Sequence, residues 1–170
     1  MPLLFRKSKS SAFQRARDWA TSLGVIGRVL DKSGLDLRDL ALSLVGEEVW
    51  VCGAVWWSER VQSGWTTVTL RLDGDCLSPV GSSAMPKRSP SGHTGRAGWE
   101  AKLTALGILL DRLGYVVQFP LILQVGDGFA VTIQTIGTPT VPNPGLISHE
   151  FTAAQLAAAH PTAIRLGGLQ

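Results

Sequence analysis

Few side chains capable of acid–base or nucleophilic chemistry lie at spacings that would let them act together. The three histidines are His93, in a Ser/Gly/Pro-rich segment, His149, beside Glu150, and His160, before a proline. None has a cysteine or serine in a recognisable nucleophile context. On a strand, His149 and Glu150 would point to opposite faces, which argues against an acid–base dyad. The sequence therefore predicts a non-enzymatic protein with no catalytic residue.

Motifs for metals and cofactors are not found in the sequence either. The two cysteines, Cys52 and Cys76, form no C-x-x-C pair and have no histidine at metal-ligand spacing. Asp73-Gly74-Asp75 could open an acidic cation loop, but the further ligands of an EF-hand loop do not follow. Phosphate-binding and dinucleotide-binding glycine motifs are missing from the sequence. We expect no metal, no cofactor and two reduced thiols in a cytoplasmic protein.

Tryptophans are the residues with the clearest binding potential, because four of the six lie between positions 50 and 65. These four are Trp50, Trp56, Trp57 and Trp65, and Arg60 and Arg71 lie close to them in the sequence. An exposed tryptophan-rich surface with neighbouring arginines is typical of a protein-binding hot spot. The alternative is that these rings pack under the terminal helices or the linker, because large aromatic side chains are mostly buried on average.

Basic residues are concentrated in two segments without acids, residues 1–17 and 86–98. These segments hold half of the 16 lysines and arginines, so the other eight are set against all 13 acidic residues. The basic residues concerned are Arg6, Lys7, Lys9, Arg15, Arg17, Lys87, Arg88 and Arg96. A uniformly basic nucleic-acid binder would not show this uneven distribution.

Three interpretations of the basic segments stay open. Together they could grip phosphate groups, which makes a nucleic-acid-binding accessory protein the alternative function. The apolar residues 3–5 could add weak contact with an anionic membrane surface. The third interpretation is a solvated arm that aids solubility. No apolar run reaches the length of a membrane-spanning helix, so no such helix is expected.

The chain matches itself when it is shifted by 80 residues. Between residues 19–53 and 99–133, nine of the 35 aligned pairs are identical, where average composition gives about two or three. The first tryptophan falls on the last one, and Gly34 falls on Gly114. This self-match predicts a tandem duplication.

Each copy begins with an amphipathic helix. Trp19, Leu23, Ile26 and Leu30 are spaced i, i+4, i+7 and i+11, which places them on one stripe of a helix. The same spacing recurs 80 residues later. The glycine that follows each helix, at position 34 or 114, is predicted to be a left-handed C-cap.

Three strand-like runs follow each helix. In the first copy they are residues 40–45, 49–57 and 65–72, and in the second copy they are 121–125, 129–136 and 146–151. Each third strand is followed by a possible helix N-cap, Asp73 or Thr152. A credible helix, residues 153–159, follows only Thr152.

These elements predict an α+β protein, a tandem duplication of an α-β-β-β unit with pseudo-two-fold symmetry. Its antiparallel sheets have helices packed on one side, and the copies could share one sheet or pack face to face. The expected organisation is a basic arm (1–11), a first repeat (12–77), a Ser/Gly/Pro-rich linker (78–96), a second repeat (97–159) and a C-terminal tail (160–170).

The difference between the copies at their second strand favours protein binding. The first copy carries Trp50 and Trp56 where the second carries Ala130 and Ile136. We therefore predict a cytoplasmic adaptor or chaperone-like protein, a monomer or small oligomer, that binds another protein through this tryptophan-rich face. The layout resembles that of small secretion-chaperone-like proteins in architecture only, and no residue role follows from the resemblance.

Overall fold

The fold class is α+β, as predicted. A computed structural model describes residues 19–45, 48–58, 63–81, 98–113, 117–135 and 145–160, which form three helices and one seven-stranded antiparallel sheet. The helices are α1 (Trp19–Ser33), α2 (Trp99–Asp111) and α3 (Ala153–Ala159). The strands are β1 (Leu37–Val45), β2 (Glu48–Ser58), β3 (Ser63–Asp73), β4 (Cys76–Pro79), β5 (Val117–Val125), β6 (Gly128–Thr135) and β7 (Gly145–Phe151). Residues 19–81 are called the first half below, and residues 98–160 the second half.

Helices α1 and α2 run antiparallel and touch at two glycines. A Cβ atom built on Gly27 would lie 2.5 Å from the carbonyl oxygen of Trp99, and one built on Gly107 would overlap the backbone at Trp19. Because the obstacle is backbone in both cases, no larger residue fits without moving a helix. Gly34 has a φ of 69°, so α1 is followed by the predicted left-handed glycine.

Each of these two helices is capped by an aspartate from the other. The Asp31 carboxylate accepts hydrogen bonds from the backbone N–H groups of Trp99 and Glu100, both at 3.0 Å. Asp111 accepts the first two N–H groups of α1 in the same way, at 3.1 and 3.2 Å. A negative charge at a helix N-terminus is favourable, and Gly98, which precedes α2, offers no side-chain cap of its own.

The strand order of the sheet is β4-β3-β2-β1-β5-β6-β7. The two halves therefore share one sheet, and they are joined by the antiparallel pairing of β1 with β5. Leu42 pairs with Ile122, the residue 80 positions later, and a shift of 80 also exchanges the pairs on either side.

β-Bulges explain why β1 and β5 begin earlier than predicted. The register with the neighbouring strand shifts between Arg38 and Ala41, and it shifts again 80 residues later, in β5. Leu37 and Leu40 are consequently both buried although three positions separate them. The strict alternation used for prediction is broken at this point, so it detects only the part of each strand after the bulge.

The two bulges satisfy their backbone in different ways. In β1 the N–H of Leu40 donates to Oε1 of Gln124 at 3.1 Å. In β5 the equivalent residue is Pro120, which has no N–H to satisfy and is tolerated in a strand at a bulge. The counterpart of Gln124 in the first half is the apolar Leu44, which is buried.

Strand β4 corrects the prediction for the end of the first half. Asp73 is not a helix N-cap, because β3 ends there and a two-residue turn leads into β4. Gly74 has a φ of 63°, which allows the chain to reverse as a hairpin. β4 continues to Pro79, so it enters the segment that was predicted to be linker from residue 78.

After β7 the chain forms α3 over the residues that were predicted to be helical. Oγ1 of Thr152 accepts from the N–H of Gln155 at 3.2 Å, and the Gln155 side chain accepts from the N–H of Thr152 at 2.8 Å. This reciprocal pair is a capping box, which specifies a helix start locally. Leu156 anchors the helix to the core.

One hydrophobic core fills the space between the α1–α2 pair and one face of the sheet. Its completely or almost completely buried members include Leu23, Leu30, Leu42, Val51, Val55, Leu70, Leu103, Leu106, Ile122, Phe129, Val131 and Ile133. They come from both halves, so neither half encloses this core without the other.

Candidate functional site

The face of the sheet turned away from α1 and α2, called the open face below, is only partly covered by the described residues. On β1, the buried Leu42 and Leu44 alternate with Ser43, which is partly exposed, and Val45, which is 53% exposed. Successive side chains of a strand point to opposite faces. The open face comprises Arg38, Ala41, Ser43, Val45, Glu48, Trp50, Cys52, Ala54, Trp65, Thr67, Thr69 and Arg71 in the first half, and Leu121, Leu123, Val125, Ala130, Thr132, Gln134, Leu146, Ser148 and Glu150 in the second.

Trp50 lies on the open face and not in the core. It stands between Ser43 on β1 and Arg71 on β3 in the strand register. Its indole Nε1 donates a hydrogen bond to Oε2 of Glu48 at 3.2 Å, and its side chain is partly exposed. The polar edge of the ring is thus satisfied at the surface while the ring still presents apolar area.

Trp65 is the second tryptophan on the open face, and 42% of it is exposed. The guanidinium carbon of Arg38 lies 4.5 Å from the centre of its ring, a cation–π contact that holds both side chains near β2. The backbones of Trp56 and Trp57 pair with β3 at Trp65 and Gly64. Arg60 lies outside the described residues.

Between these tryptophans and β5 the open face has a hollow (Ala41, Cys52 and Ala54), named for its small side chains, which are all partly exposed. Ala41 is paired with Cys52 on β2 and with Leu123 on β5. The Sγ of Cys52 lies 3.7 Å from Oγ1 of Thr69, on the far side of the hollow. Larger side chains border this floor, among them Trp50 on β2 and Leu123 on β5.

Leu121 and Leu123 on β5 are site residues that the sequence analysis missed. Each is 40% exposed, and Val125 beyond them is 61% exposed, although the intervening Ile122 is completely buried. The signal was the run Leu121–Val125, in which every residue except Gln124 is apolar, a pattern typical of a strand covered on both sides. In the described structure only one of those faces is covered by the helices.

The two halves differ most on this face. Where the first half has the hollow, the residues 80 positions later are larger or more polar. The corresponding pairs are Ala41 and Leu121, Cys52 and Thr132, and Ala54 and Gln134. Trp50, in turn, corresponds to Ala130. Among the described residues, the hollow together with the exposed rings of Trp50 and Trp65 is therefore found only in the first half.

The two thiols differ in setting, since Cys52 is partly buried on the open face and Cys76 is exposed. Cys76 is exposed at the start of β4, and its thiol lies 3.6 Å from Oδ1 of Asp75. The hydrogen bond to Asp75 and the negative charge of that residue raise the pKa of the Cys76 thiol. A raised pKa lowers the fraction of nucleophilic thiolate at neutral pH, so Cys76 is suited to a structural rather than a catalytic position.

A cleft of about 680 Å³ lies between α1 and α2, and its lining includes Gly24, Thr104 and His160. Its charged contact joins Arg28 to Glu100, whose Oε1 accepts from Nε and Nη2 of the arginine at 3.1 and 3.0 Å. Both side chains are about half exposed. An ion pair so exposed to water contributes less than about 1 kcal/mol to stability. The cleft is therefore lined by small helical residues and by an ion pair that is exposed to water.

The basic residues predicted to bind nucleic acid lie outside the described residues. They are Arg6, Lys7, Lys9, Arg15, Arg17, Lys87, Arg88 and Arg96. His149 and Glu150 do point to opposite faces of β7, with the His149 ring stacked 6.0 Å from that of Phe151. Among the described residues, no group of three or more His, Cys, Asp or Glu could hold a metal ion. No helix in the described part of the chain is long and apolar enough to cross a membrane.

Comparison of the chain with protein-family models, curated proteins and solved structures gives no match. The role of the open face therefore rests on its own geometry and chemistry.

Proposed function

We propose that this protein is a non-enzymatic, cytoplasmic adaptor or chaperone-like protein that binds another protein through the first-half part of the open face. Trp50 and Trp65 form the contact, and Arg71 is paired with Trp50 in the strand register. Trp56, Trp57 and Arg60 belong to the same proposed surface by their position in the sequence. Tryptophan and arginine are the residues that most often dominate binding energy at protein interfaces.

The observation that carries the proposal is the position of exposed aromatic and aliphatic side chains on one sheet face that the described residues leave largely uncovered. Trp65 on β3 is 42% exposed, and Leu121 and Leu123 on β5, beyond β2 and β1 in the sheet, are each 40% exposed. Single exposed apolar residues are common, but a contiguous apolar patch of this kind marks interaction sites. Water is released from the patch when a partner covers it, which supplies the driving force for binding.

The hollow suggests which part of the partner binds. A floor made of Ala41, Cys52 and Ala54 between larger side chains accepts one bulky apolar side chain, such as leucine or phenylalanine. Anchors of this type, buried in a small pocket, carry much of the affinity of an interface. The second half has no equivalent hollow, so we propose one anchor site per chain.

We also propose that the two halves arose by tandem duplication and are related by a pseudo-two-fold axis. The 80-residue self-match of the sequence supports this origin. Three reciprocal contacts support the symmetry: the Asp31 and Asp111 caps, the Gly27 and Gly107 helix contacts, and the pairing of Leu42 with Ile122. On this view, residues 12–77 and 97–159 resemble two subunits of a homodimer joined in one chain.

The proposal is tested by comparing the proteins captured by the wild-type chain and by single variants from native extract. Trp50→Ala and Trp65→Ala should each greatly reduce the amount of a specifically captured protein, because each removes one of the two tryptophan rings of the proposed contact. Thermal unfolding should stay close to wild type, because neither ring lies in the core. Unfolding of these variants would instead show that the rings hold the fold together, and the proposal would be wrong.

A second pair of variants tests the hollow. Ala41→Phe fills its floor and should block capture, whereas Thr132→Phe places the same ring on the open face of β6 and should not. Equal capture by both variants would contradict the anchor site. The tryptophan contact is tested separately, by the Trp50→Ala and Trp65→Ala variants.

The alternative function is a nucleic-acid-binding accessory protein that uses the basic residues of segments 1–17 and 86–98. What favours it is that these segments hold half of the lysines and arginines and no acid. Binding through phosphate contacts would weaken steeply with salt, by orders of magnitude if about six phosphates are contacted, whereas an apolar contact would hardly change. Retained binding to an oligonucleotide after deletion of residues 1–11 and replacement of Lys87 and Arg88 by serine would contradict this alternative.

A further inference from the structure

We infer that a second copy of this chain covers the open face when no protein partner is bound, in a homodimer whose two-fold axis runs parallel to β1 and β5. The sheets of the two copies would pack face to face, as the sheets of a β-sandwich do. This second use of the face goes beyond the proposed function. Only its regulatory meaning rests on that proposal.

The centre of the open face is apolar and therefore suits a symmetric contact. Leu121 and Leu123 lie on β5, next to the middle of the sheet, and Ala41 is paired with Leu123 across the β1–β5 boundary. Any two-fold axis that lies in the plane of contact and passes through the β1–β5 boundary places the apolar centre of one copy on the apolar centre of the other. Isologous interfaces need such self-complementary patches.

The dimensions of the face match those of a stable interface. Seven strands spaced about 4.8 Å apart give a width of roughly 29 Å, and all strands except the four-residue β4 have seven to eleven residues, which gives a length of at least roughly 25 Å. The flat area is then roughly 700 Å² per copy, close to the roughly 800 Å² per partner of a standard protein–protein interface.

The charges on the face select one orientation of the axis. Arg38 and Arg71 are the basic residues of the open face, and both belong to the first half. Glu150, on β7, is the acidic residue of the second-half part. Glu48, at the start of β2, accepts a hydrogen bond from Trp50, and Asp73, at the end of β3, lies 3.9 Å from Arg71. Among the described residues of the open face, a basic neighbour for Glu150 can therefore come from the first half of another copy.

An axis parallel to the strands provides that neighbour. Arg71 lies on β3, two strands from β1, and Glu150 lies on β7, two strands from β5. Rotation about such an axis places β3 of one copy over β7 of the other, so Arg71 faces Glu150 twice. They differ by one step of two residues along the strands, about 7 Å, which both long side chains can span between sheets about 10 Å apart. An axis across the strands would place β3 over β3 and leave Glu150 unmatched.

The dimer would have to open before a partner could reach Trp50 and Trp65. Self-association would thus protect the apolar patch from non-specific contacts and would make partner binding depend on the concentration of the chain. Adding a partner would shift the equilibrium towards monomers by mass action.

The experiment is sedimentation equilibrium of the full chain at micromolar concentrations, with charge-reversal variants. The wild type should dimerise reversibly. Arg71→Glu and Glu150→Arg should each raise the dimer dissociation constant by about tenfold or more, because each places like charges in contact twice. The double variant should restore the constant to within about threefold of wild type, since the charges are exchanged but remain complementary.

Two controls make the result decisive. Leu123→Asp should abolish the dimer, because it puts a charge at the apolar centre, while Lys32→Glu, at the end of α1, should leave the dimer unchanged. A wild-type chain that stays monomeric throughout would overturn the inference and leave the proposed function untouched. So would a dimer that survives Leu123→Asp, or a double variant that remains as weak as the single ones.

Discussion

The first and second halves of the molecule make nearly the same internal contacts but present different surfaces. Asp31 caps α2 and Asp111 caps α1, and each helix holds a glycine against the backbone of the other. On the open face, however, Trp50 corresponds to Ala130. The comparison indicates that the contacts joining the halves are constrained by packing, whereas the exposed positions are not and differ between the halves.

The halves also differ after their third strand. Asp73 is the last residue of β3, and Gly74 allows a reversal into β4, whereas Thr152, directly after β7, starts a capping box and α3. One edge of the described sheet is consequently a four-residue strand, and the other edge is β7 with a helix after it. The difference in one or two turn residues thus changes an entire element.

The largest expected effect concerns the helix contact that the two halves share. Gly27→Ala and Gly107→Ala should each destabilise the protein by about 3 kcal/mol, because the new methyl group meets backbone that cannot rotate away. Urea denaturation measures both values. Gly24→Ala is the matched control, since its Cβ meets only the Oγ1 of Thr104. Values for the two positions that differ widely would show that the contacts are not equivalent.

The exchanged helix caps should give the next largest effect. Asp31→Ala and Asp111→Ala should each cost about 2 kcal/mol, because each leaves two N–H groups at a helix start without their acceptor. Asparagine at either position retains one acceptor oxygen and should cost about half as much. Thermal unfolding monitored by circular dichroism checks this. A large loss at one position and none at the other would break the comparison of the halves.

The bulges predict an effect in one half only. Gln124→Leu should destabilise the protein by about 1.5 kcal/mol, because the N–H of Leu40 loses its acceptor inside the protein. Gln134→Leu, on the open face of the adjacent strand, serves as the control and should change the free energy of unfolding by less than about 0.5 kcal/mol. Similar values for the two variants would show that the bulge hydrogen bond contributes nothing.

The smallest expected effect distinguishes the two chain turns. Thr152→Ala should cost about 1 kcal/mol, because α3 loses its capping box. Asp73→Ala, at the corresponding position, should cost less than about 0.5 kcal/mol, since its exposed contact with Arg71 is long and caps no helix. Hydrogen exchange of the α3 amides should increase only in the first variant. Faster exchange in both would contradict the assignment of the cap.

Local elements were predictable because their signals lie within a few residues. The stripe that begins at Trp19 identified α1, and Thr152 identified the start of α3. The predicted turn between β5 and β6 is also found, with Gly126 at a φ of 59°. Elements that depend on an irregularity were missed or shortened. The bulge before Ala41 hid the start of β1, and β4 was too short to show a pattern.

The candidate site was predictable only in part for a related reason. The alternation along β2 places Trp50 on the face opposite Val51, and this follows from the sequence. That Leu123 comes to lie beside Ala41, and Arg38 over the ring of Trp65, depends on which strands become neighbours. Periodicity gives the face of a residue but not the strand that pairs with it.

The sequence by itself determined the α+β class, the order of most elements and the 80-residue correspondence between the halves, because periodicity, caps and turns act over short distances along the chain. The tertiary structure decided that β1 pairs with β5 in a single sheet, that Asp31 and Asp111 cap each other's helices, and that the described residues leave one face open. These contacts join residues 68 to 92 positions apart, so they contribute to stability only once both halves are folded together.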